Sequence, residues 1–570
     1  LGNKPPRNLR ARSRLEIDYL AAEIGSSFNE ARQVAVVLAA LHDIGKATPV
    51  FQAKWPSGAP PEAMLRNTED VPHGRASGII LRAWLCDLGI HPRLAASLAN
   101  AVAIHHGSRL PATFAALGTY DPRSIGEDSM PWTTWRAGLI GDVEESLGPM
   151  PNLSARKALR GRGWALLAGL TSVADWIGSS LSHWGEVVDV QEYIRLRRNE
   201  VAERLDEISW AGQDAWWKTP DAFEEFGSWF GSAEEQFHPR PLQTAVSNIV
   251  HDDNQPSLLI VEAPMGEGKT EVAFYAMVQP SAAPGTFFGL PTQATSDAMH
   301  TRLQEFVARN QAEAIDVALA HSAAAHTIRV RNESEPADRE SADSESVAES
   351  WFSGGRRELL AKLGAGTIDQ ALLAVLPVRH FFIRLWGLAG KTVVFDEVHA
   401  YDAYTGGLII ELTRWLAAVG SSVVVMSATL PSSLRASFAV AFLEGLGEEE
   451  APTLQPLEYP RVTRVTRSDA RGLSFAASRS ARVLIAAAPY QTERLADEVI
   501  SSATSGGAVV AILNTVGRAQ ELYQVCKSRG VSATLLHARF PLDERKLLEQ
   551  VTVNKFGKDG VASERAGLVI

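Results

Sequence analysis

The sequence predicts a multidomain protein in which an all-α domain is followed by two α/β domains, the second of them truncated. The length of 570 residues suits about three to four domains of ordinary size. Eleven of the fourteen tryptophans precede position 231, in a region where apolar residues recur with helical spacing. Beyond it, short β-branched runs alternate with helical segments, a pattern typical of parallel sheets. We therefore expect domains at residues 1–230, 231–475 and 476–570.

The composition narrows the class of protein and of partner. The net charge is −11, so a nucleic-acid partner would be bound by local basic grooves rather than by a positive field over the whole surface. The two cysteines, Cys86 and Cys526, are too few and too far apart for a disulfide framework or a zinc ribbon, which suits a reducing cytoplasm. No apolar run approaches the roughly 18 residues of a membrane span. The sequence thus predicts a cytoplasmic protein with no membrane partner.

In the predicted helical domain, side chains able to bind metal stand at or near the ends of apolar helices. The helices are expected at residues 31–41, 71–83, 94–104 and 164–177. The side chains are His42, Asp43, His73, His105, His106 and Asp175. Imidazole with carboxylate suits Mn, Fe, Co, Ni or Zn, and two such ions about 3.5–4 Å apart can hold the attacking and leaving oxygens of a phosphodiester. An aspartate that bridges both ions fits the adjacent pair at positions 42 and 43.

Each of these histidines has an alternative role as a core or capping residue. For a lone histidine such as His91 that alternative is favoured, whereas His42-Asp43 together with His105-His106 favours metal binding. Gly45 is expected to end the preceding helix. Lys46 is expected either to neutralise a phosphate or to cap the helix end.

The segment Val261–Thr270 reads Val-Glu-Ala-Pro-Met-Gly-Glu-Gly-Lys-Thr and indicates a phosphate-binding loop. It joins a predicted strand at 257–261 to a predicted helix at 271–278. Ala263 stands where the strict motif has glycine, so a glycine-rich turn that binds no nucleotide is the alternative. With Gly-Lys-Thr in register, a nucleotide site is the favoured interpretation.

The residues of this loop have distinct expected roles. Gly266 and Gly268 allow the backbone to turn sharply, so that its N–H groups face phosphate oxygens. Lys269 supplies a positive charge to the terminal phosphates of ATP, and Thr270 supplies a hydroxyl ligand to Mg²⁺.

Three more residues complete the predicted nucleotide site. Asp396 and Glu397 follow a predicted strand at 392–395, where Asp396 would hold Mg²⁺ through water and Glu397 would orient the attacking water. Gln243 precedes the phosphate-binding loop and offers a donor and an acceptor to the adenine edge, with a surface glutamine as the alternative.

Polar residues that follow other predicted strands, or that lie in the segment 364–370 between apolar runs, are candidates for contact with a sugar-phosphate backbone. Strands are predicted at 285–290, 421–426, 483–488, 508–513 and 533–536. Short polar residues at the carboxyl edge of a doubly wound sheet are placed where ligands bind, with plain loops as the alternative. The candidates are Thr292, Gln293, Thr367, Gln370, Asn514 and Thr515. The acidic, low-complexity stretch 330–350 is expected to be a solvated insertion.

The order of these motifs resembles the type I CRISPR-associated helicase–nuclease, the effector recruited by the Cascade surveillance complex. The resemblance is carried by His42–Lys46, Ala263–Thr270, Gly366–Gln370, Asp396–His399 and Ser427–Pro431. It runs over nearly the whole chain, and alanine at position 263 is normal in that superfamily. It implies an HD-type nuclease domain followed by two RecA-like superfamily-2 helicase lobes, the second truncated.

The resemblance also implies the cofactors. These are ATP with Mg²⁺ in the helicase part, and two divalent transition-metal ions (Fe, Mn, Co or Ni) in the HD domain. It divides the six candidate ligands into two sets that share Asp43: His42, Asp43 and Asp175, and Asp43, His73, His105 and His106. The family has a further metal-binding histidine before the His-Asp pair, but no histidine precedes His42 here. We expect either that this ligand lies upstream of Leu1 or that the first ion is loosely held. Arginines of the second lobe that reach the γ-phosphate are likewise expected outside this sequence.

The function implied is an ATP-dependent single-stranded DNA translocase that feeds DNA to a metal-dependent nuclease. Asp43, Lys46, Lys269 and Glu397 would be its catalytic residues. Its partners would be single-stranded DNA and the Cascade complex with its guide RNA, and a phage-encoded inhibitor is a further candidate. Two alternatives remain: an RNA helicase fused to an HD nucleotide phosphohydrolase, and a nucleotide-switched recruitment module whose histidines are structural.

Overall fold

The computed structural model describes most of the chain, in two compact units that comprise residues 1–478 and 479–570. The described residues are 12–54, 71–107, 121–181, 190–207, 230, 238–250, 255–278, 285–310, 317–320, 357–450, 453–478, 484–557 and 566–570. The acidic stretch predicted to be an insertion, 330–350, lies outside them.

The first part of the chain is helical, as predicted. Its helices are α1 (Arg12–Ile24), α2 (Phe28–Ala40), α3 (Pro49–Gln52), α4 (His73–Asp87), α5 (Pro92–Ala103), α6 (Pro122–Ile125), α7 (Met130–Leu147), α8 (Gly161–Ser179) and α9 (Val190–Glu207). A short 3₁₀ helix, Ile44–Lys46, follows α2. α2 begins with a capping box, in which the Ser27 hydroxyl accepts the N–H of Glu30 and the Glu30 carboxylate accepts the N–H of Ser27.

An eight-stranded sheet with its own helices follows. The helices are α10 (Pro241–Ile249), α11 (Lys269–Val278), α12 (Gln293–Asn310), α13 (Ile368–Leu372), α14 (Phe381–Leu388), α15 (Ala403–Ala418) and α16 (Ser432–Leu446). Its strands are β1 (Leu258–Glu262), β2 (Thr286–Leu290), β3 (Val317–Ala320), β4 (Leu363–Thr367), β5 (Thr392–Phe395), β6 (Ser422–Ser427), β7 (Arg461–Val465) and β8 (Ala470–Ser474).

The order of these strands is β3-β4-β2-β5-β6-β1-β7-β8. The first six are parallel to their neighbours, and β7 and β8 add an antiparallel edge. β1, β2, β4 and β5 are buried along their whole length, which explains their apolar sequences. Because the carboxyl ends of parallel strands share one edge, the segments after β1, β2, β4, β5 and β6 gather there.

The second unit has a small parallel sheet, β10-β11-β9, made of β9 (Ala508–Val510), β10 (Ala533–Thr534) and β11 (Gly567–Val569). Its helices are α17 (Thr492–Thr504), α18 (Val516–Ser528) and α19 (Leu542–Phe556). The strand predicted at 483–488 is wrong for the described residues 484–488. Leu484 is 86% exposed and Ile485 95%, so this apolar run has no sheet neighbour to bury it. The fold class otherwise agrees with prediction: a helical domain followed by α/β domains.

The helical part and the eight-stranded sheet share one apolar core through the pairing of α8 with α14. The ring of Trp164 on α8 stacks on Phe381 and meets the edge of Phe382. Gly169, one turn further along α8, lies against Trp386, where a β-carbon would come within 2.5 Å of that side chain. The close contact fixes α8, and with it Asp175, against the sheet-bearing part.

The structure describes both cysteines and allows the helices to be compared with the length and polarity of a membrane span. Cys86 and Cys526 are both free, Cys86 half-buried and Cys526 buried. Within the described ranges, every helix is too short or too polar to pass through a lipid bilayer.

Candidate metal centre and nucleotide cleft

All six side chains predicted to bind metal lie together, in two overlapping groups. One group is Asp43, His73, His105 and His106, and the other is His42, Asp43 and Asp175. Within each group the ligand atoms lie no more than 4.8 Å apart, and Asp43 belongs to both. The Nε2 atom of His42 is 3.3 Å from Asp43 Oδ2 and 3.4 Å from Asp175 Oδ1. On the other side, Asp43 Oδ1 is 3.4 Å from His73 Nε2 and 3.5 Å from His105 Nε2.

Two of the histidines are oriented by the helices they follow. His42 directly follows the C-cap of α2, and its Nδ1 lies 2.7 Å from the Ala39 carbonyl oxygen. His105 ends α5 in the same way, with its Nδ1 2.8 Å from the Val102 carbonyl oxygen. A carbonyl can only accept, so Nδ1 donates in both rings and Nε2 is the atom that faces the cluster and can bind a metal in place of a proton.

Three atoms at the centre of the cluster are buried and have no hydrogen-bond partner: His42 Nε2, Asp43 Oδ1 and His105 Nε2. A buried polar atom without a partner costs about 1–3 kcal/mol, so three such atoms facing one another indicate a site for an ion or water. Nitrogen and carboxylate oxygen are a suitable donor set for a transition metal. The residues present therefore fit a metal centre.

The protonation states of Asp43, His73 and His106 favour a bound cation. Burial lowers the pKa of His73 to about 4, and it lowers the pKa of His106 as well. Burial would raise the pKa of Asp43, but His105, His42 and Lys46 hold it well below its usual range. Asp43 is thus ionised and two of the imidazoles are neutral, which is the state in which they bind metals.

Lys46 lies at the open side of the cluster. Its Nζ is 2.5 Å from Asp43 Oδ2, and its side chain is 45% exposed. Lys46 therefore contacts both the proposed bridging carboxylate and solvent. Gly45 does not end α2, because the helix stops at Ala40 and Gly45 lies in the following 3₁₀ helix. His91, predicted to have a capping role, accepts the N–H of Arg93 at the start of α5.

The predicted phosphate-binding loop lies between β1 and α11, at the carboxyl edge of the sheet. Gly266 and Gly268 have φ of +83° and +88°, a conformation that side chains disfavour. The loop borders a cleft of about 290 Å³. The cleft is lined by Arg240, Met265, Gly266, Gly268, Lys269, Thr270, Glu271, Arg302, Asp396 and Glu397.

The basic residues around this cleft donate hydrogen bonds to the phosphate-binding loop and to the helix that follows it. Lys269 donates from Nζ to the Ala263 carbonyl at 3.0 Å. Arg302, on α12, donates to the Thr270 hydroxyl at 3.1 Å and to Glu271 at 3.0 Å, and Arg240 donates to the Gly266 carbonyl. Sequence reasoning missed both arginines. Arg240 stands three residues before Gln243, which was predicted to bind nucleotide, and this proximity could have identified Arg240. Nothing in the sequence around Arg302 indicates the cleft.

The acidic pair reaches the cleft from β5, on the far side of β6 from β1. Glu397 has a left-handed φ of 50°, and its N–H donates to Asp396 Oδ1 at 2.9 Å. Burial and the Glu397 charge raise the pKa of Asp396. His399 joins the pair to the end of β6, with Nδ1 3.3 Å from Glu397 Oε2 and 3.1 Å from Ser427 Oγ. The segments after β5 and β6 are thereby linked beside the nucleotide cleft.

Gln243 is 2% exposed and accepts the N–H of Arg240 through its Oε1. Its amide nitrogen lies against Gly268, where a β-carbon would come within 2.6 Å. Gln243 thus packs under the phosphate-binding loop and is not among the residues that line the cleft.

The residues predicted to contact DNA fall in both units. Leu290 pairs with Thr367 across β2 and β4, which places Thr292, Gln293, Thr367 and Gln370 at one edge of the large sheet. Thr292 is exposed, whereas Thr367 is buried. Asn514 and Thr515 are exposed in the second unit, where the Thr515 hydroxyl caps α18 by accepting the N–H of Arg518.

Comparison with known proteins agrees with this geometry. The family model "Cas3, HD domain" matches residues 4–184, and the model of the C-terminal part of the CRISPR-associated nuclease/helicase Cas3 matches residues 505–570. The chain is 35% identical to the CRISPR-associated endonuclease/helicase Cas3 of Thermus thermophilus, over 94% of this chain and 63% of that protein. The chain belongs to the Cas3 family.

Solved Cas3-family structures share its fold. T. fusca Cas3 crystallised with AMPPNP superposes with a TM-score of 0.81 at 29% identity, over 98% of this chain and 65% of that chain. A chain of a CRISPR RNA-guided surveillance complex in a pre-nicking state superposes with a TM-score of 0.69 at 26% identity, over 98% of this chain and 62% of the other. The chain thus spans less than two thirds of the length of these Cas3-family relatives.

Proposed function

We propose that this chain is the nuclease and ATP-binding part of an ATP-driven single-stranded DNA translocase that degrades invading DNA. One observation carries the nuclease half: the buried, partnerless atoms of His42, Asp43 and His105 converge with His73, His106 and Asp175. Family membership supports the same conclusion, because the T. thermophilus relative is named an endonuclease/helicase.

Each side chain of the centre has a role in this proposal. His42, Asp43 and Asp175 would hold one divalent ion, and Asp43, His73, His105 and His106 the other. Mn, Fe, Co and Ni suit these ligands. The two ions would supply the charge that stabilises the attacking and leaving oxygens of a phosphodiester. Lys46, partly exposed beside Asp43, would neutralise the phosphate that enters.

The nucleotide cleft would bind ATP with Mg²⁺. Lys269 and the loop amides of Gly266 and Gly268 would contact phosphates. Thr270 and Asp396 would contact the ion, and Glu397 would orient the attacking water. Gln243 would support the loop from below. The T. fusca relatives crystallised with AMPPNP and with ATP support nucleotide binding at this fold.

Single-stranded DNA would run along the carboxyl edge of the large sheet, past Thr292, Gln293, Thr367 and Gln370. In the second unit, Asn514 and Thr515 stay predicted DNA contacts. Such binding rests on phosphate contact and stacking, so it has little sequence preference and weakens in salt. The related chain in an RNA-guided surveillance complex supports recruitment by Cascade, whose guide RNA would choose the target. A phage-encoded inhibitor stays a prediction from resemblance.

The decisive experiment separates the two activities on circular single-stranded DNA with Mn²⁺. Asp43→Ala is expected to abolish cutting and leave DNA-stimulated ATP hydrolysis intact, and Asp87→Ala, an exposed aspartate on α4, serves as the control. Lys269→Ala is expected to abolish ATP hydrolysis and leave the cutting of single-stranded DNA intact. Undiminished cutting by Asp43→Ala would overturn the nuclease assignment, and ATP-dependent cutting of single strands would overturn the division of labour.

The same preparation tests the alternatives. Stimulation of ATP hydrolysis by RNA but not DNA, with hydrolysis of a cyclic nucleotide, would identify an RNA helicase fused to a phosphohydrolase. Absence of a transition metal by elemental analysis, with no activity on adding Mn²⁺ or Ni²⁺, would identify a nucleotide-switched recruitment module.

A further inference from the structure

A residue of the sheet-bearing part, His380, lies against residues that neighbour the candidate metal ligands of the helical part. It is 4% exposed, immediately precedes α14 and has a left-handed φ of 62°. Its ring faces Gly107, the residue that follows His105-His106. A β-carbon at Gly107 would lie 2.3 Å from Cε1 of that ring and 2.4 Å from each of its nitrogens. The imidazole therefore occupies the space that a side chain at position 107 would take.

The other neighbour of His380 belongs to a second ligand segment. Its ring centroid is 6.1 Å from that of Trp176, the residue after Asp175. The adjacent Arg379 donates from Nη2 to the His106 carbonyl at 3.2 Å. His380 and its neighbour thus contact both segments that bring ligands to the centre from α5 and α8.

His380 immediately precedes a helix, α14, that packs both on the helical part and within the lobe that carries the nucleotide cleft. The two residues after it, Phe381 and Phe382, pack on Trp164 of α8. α14 also packs against α13, which directly follows β4 of the large sheet. A buried imidazole in this frame has little freedom to move independently of the sheet.

We propose that His380 is a positioning residue, by which the nucleotide-binding lobe sets the spacing between the metal ligands His105-His106 and Asp175. This rests on the metal centre of the proposed function. Metal sites tolerate errors of only about 0.2 Å in ligand distance, and loss of the ring would let the end of α5 relax toward the space it leaves. The six candidate ligands all lie in the helical part, and the lobe would add the support that sets their spacing.

The test compares Mn²⁺ affinity among variants of the whole chain, measured by calorimetric titration. His380→Ala is expected to weaken Mn²⁺ binding by about tenfold or more, the usual cost of losing a group that orients metal ligands. Phe381→Leu is the matched control. It removes packing on Trp164, eleven residues before Asp175 on α8, but keeps the contacts of His380 with Gly107 and Trp176. Less than about a twofold change is expected. Nucleotide binding, measured on the same samples, reports that each variant is folded. Equal weakening by both variants, or none by either, would overturn the proposal.

A double-mutant cycle tests the contact between His380 and Gly107 independently. Gly107→Ala alone forces a β-carbon into the His380 ring, so it is expected to weaken Mn²⁺ binding strongly. In the His380→Ala background the clash with the ring is gone and only the strain of the left-handed φ of 74° at position 107 remains, so the same change is expected to cost several-fold less. Additive effects would overturn the contact. If the unaltered chain binds no Mn²⁺ at all, the proposed function fails; if it binds Mn²⁺ and the variants match it, this inference alone fails.

Discussion

Gly45 lies so close to His73 that a β-carbon at position 45 would sit 2.0 Å from the His73 carbonyl oxygen. The N–H of Gly45 donates to the Ser77 hydroxyl at 2.8 Å, one turn further along α4. The bare backbone at Gly45 is thus what allows the segment that carries His42 and Asp43 to approach the start of α4. This explains the glycine in the motif His42–Lys46: it lets the backbone at position 45 lie against the backbone at the start of α4.

The first prediction concerns Gly45→Ala. A methyl group at this position must push α4 away, at a cost of about 1–3 kcal/mol for overpacking, and His73 must move with it. We expect weaker Mn²⁺ binding and a lower free energy of unfolding, measured by titration and by denaturant unfolding. Gly141→Ala is the control, because a β-carbon there meets nothing within 4 Å and the residue lies in helix α7. That change is expected to be neutral or to stabilise the helix by up to about 1 kcal/mol. Equal responses from the two variants would contradict the close-approach argument.

The second prediction concerns the protonation of His42. Burial would lower its pKa, but Asp175 and Asp43 outweigh burial and raise it from 6.5 to about 10. A pKa raised on folding contributes stability that is complete below pH 6.5 and is lost as the pH rises toward 10. The metal-free chain should therefore lose thermal stability across this window, and the Mn²⁺-loaded chain should lose less.

Asp175→Asn is the matched variant for that measurement, because it removes one of the two carboxylates that hold the proton. Its metal-free stability should fall less steeply between pH 7 and 10 than that of the unaltered chain. Metal binding at pH 7 should also release a proton, seen as a dependence of the calorimetric heat on buffer ionisation. Parallel pH curves for the two chains would contradict the assignment of the proton to His42.

The third prediction concerns Glu267, the residue between the two glycines of the phosphate-binding loop. Glu267 is 2% exposed, and its carboxylate accepts the N–H of Ser478 at 2.8 Å and the hydroxyl of Ser478 at 2.7 Å. Ser478 is the last residue of the first unit. Hydrogen bonds to a charged group contribute about 1.5–3 kcal/mol, and here they hold the loop in the shape that faces phosphate.

Glu267→Ala should therefore weaken binding of an ATP analogue by about tenfold, measured by titration, because an untethered loop must be ordered when nucleotide binds. Ser478→Ala removes only the hydroxyl contact and should have a smaller effect. Ser474→Ala is the control, since that exposed hydroxyl donates to the Glu458 carbonyl, away from the loop. A Glu267→Ala chain with unchanged affinity would show that the loop needs no tether.

The fourth prediction concerns Lys46. Its ammonium contacts Asp43 Oδ2 and competes there with a bound cation. Lys46→Ala should therefore leave Mn²⁺ affinity unchanged or stronger, while cutting of single-stranded DNA slows by about tenfold or more because a phosphate partner is lost. Lys157→Ala, an exposed lysine on a loop, is the control. Weaker Mn²⁺ binding by Lys46→Ala would instead show that the lysine only orders Asp43.

Much of this protein could be predicted from local sequence. Each β-branched run of the large sheet that was predicted as a strand is one, because a strand buried on both faces needs apolar residues throughout. The phosphate-binding loop, the acidic pair after β5 and the metal-ligand candidates His42-Asp43 and His105-His106 were predicted because each consists of neighbouring residues with a recognisable chemistry. His73 and Asp175 stand apart in the sequence, so their place among the candidate ligands depended on the family resemblance. The run 484–488 was wrongly predicted as a strand, because apolar character alone does not supply a neighbouring strand to pair with.

What only the tertiary structure decided is which distant residues meet. His73 and His106 are brought within 2.7 Å of each other by the pairing of α4 with α5. The proximity of Gly45 to His73, of His380 to Gly107 and of Ser478 to Glu267 likewise has no local signature, because the residues of each pair belong to different elements. Periodicity and motif spacing record how a segment buries its own face. The distances that make a cluster of ligands into a metal centre depend on how those faces pack together.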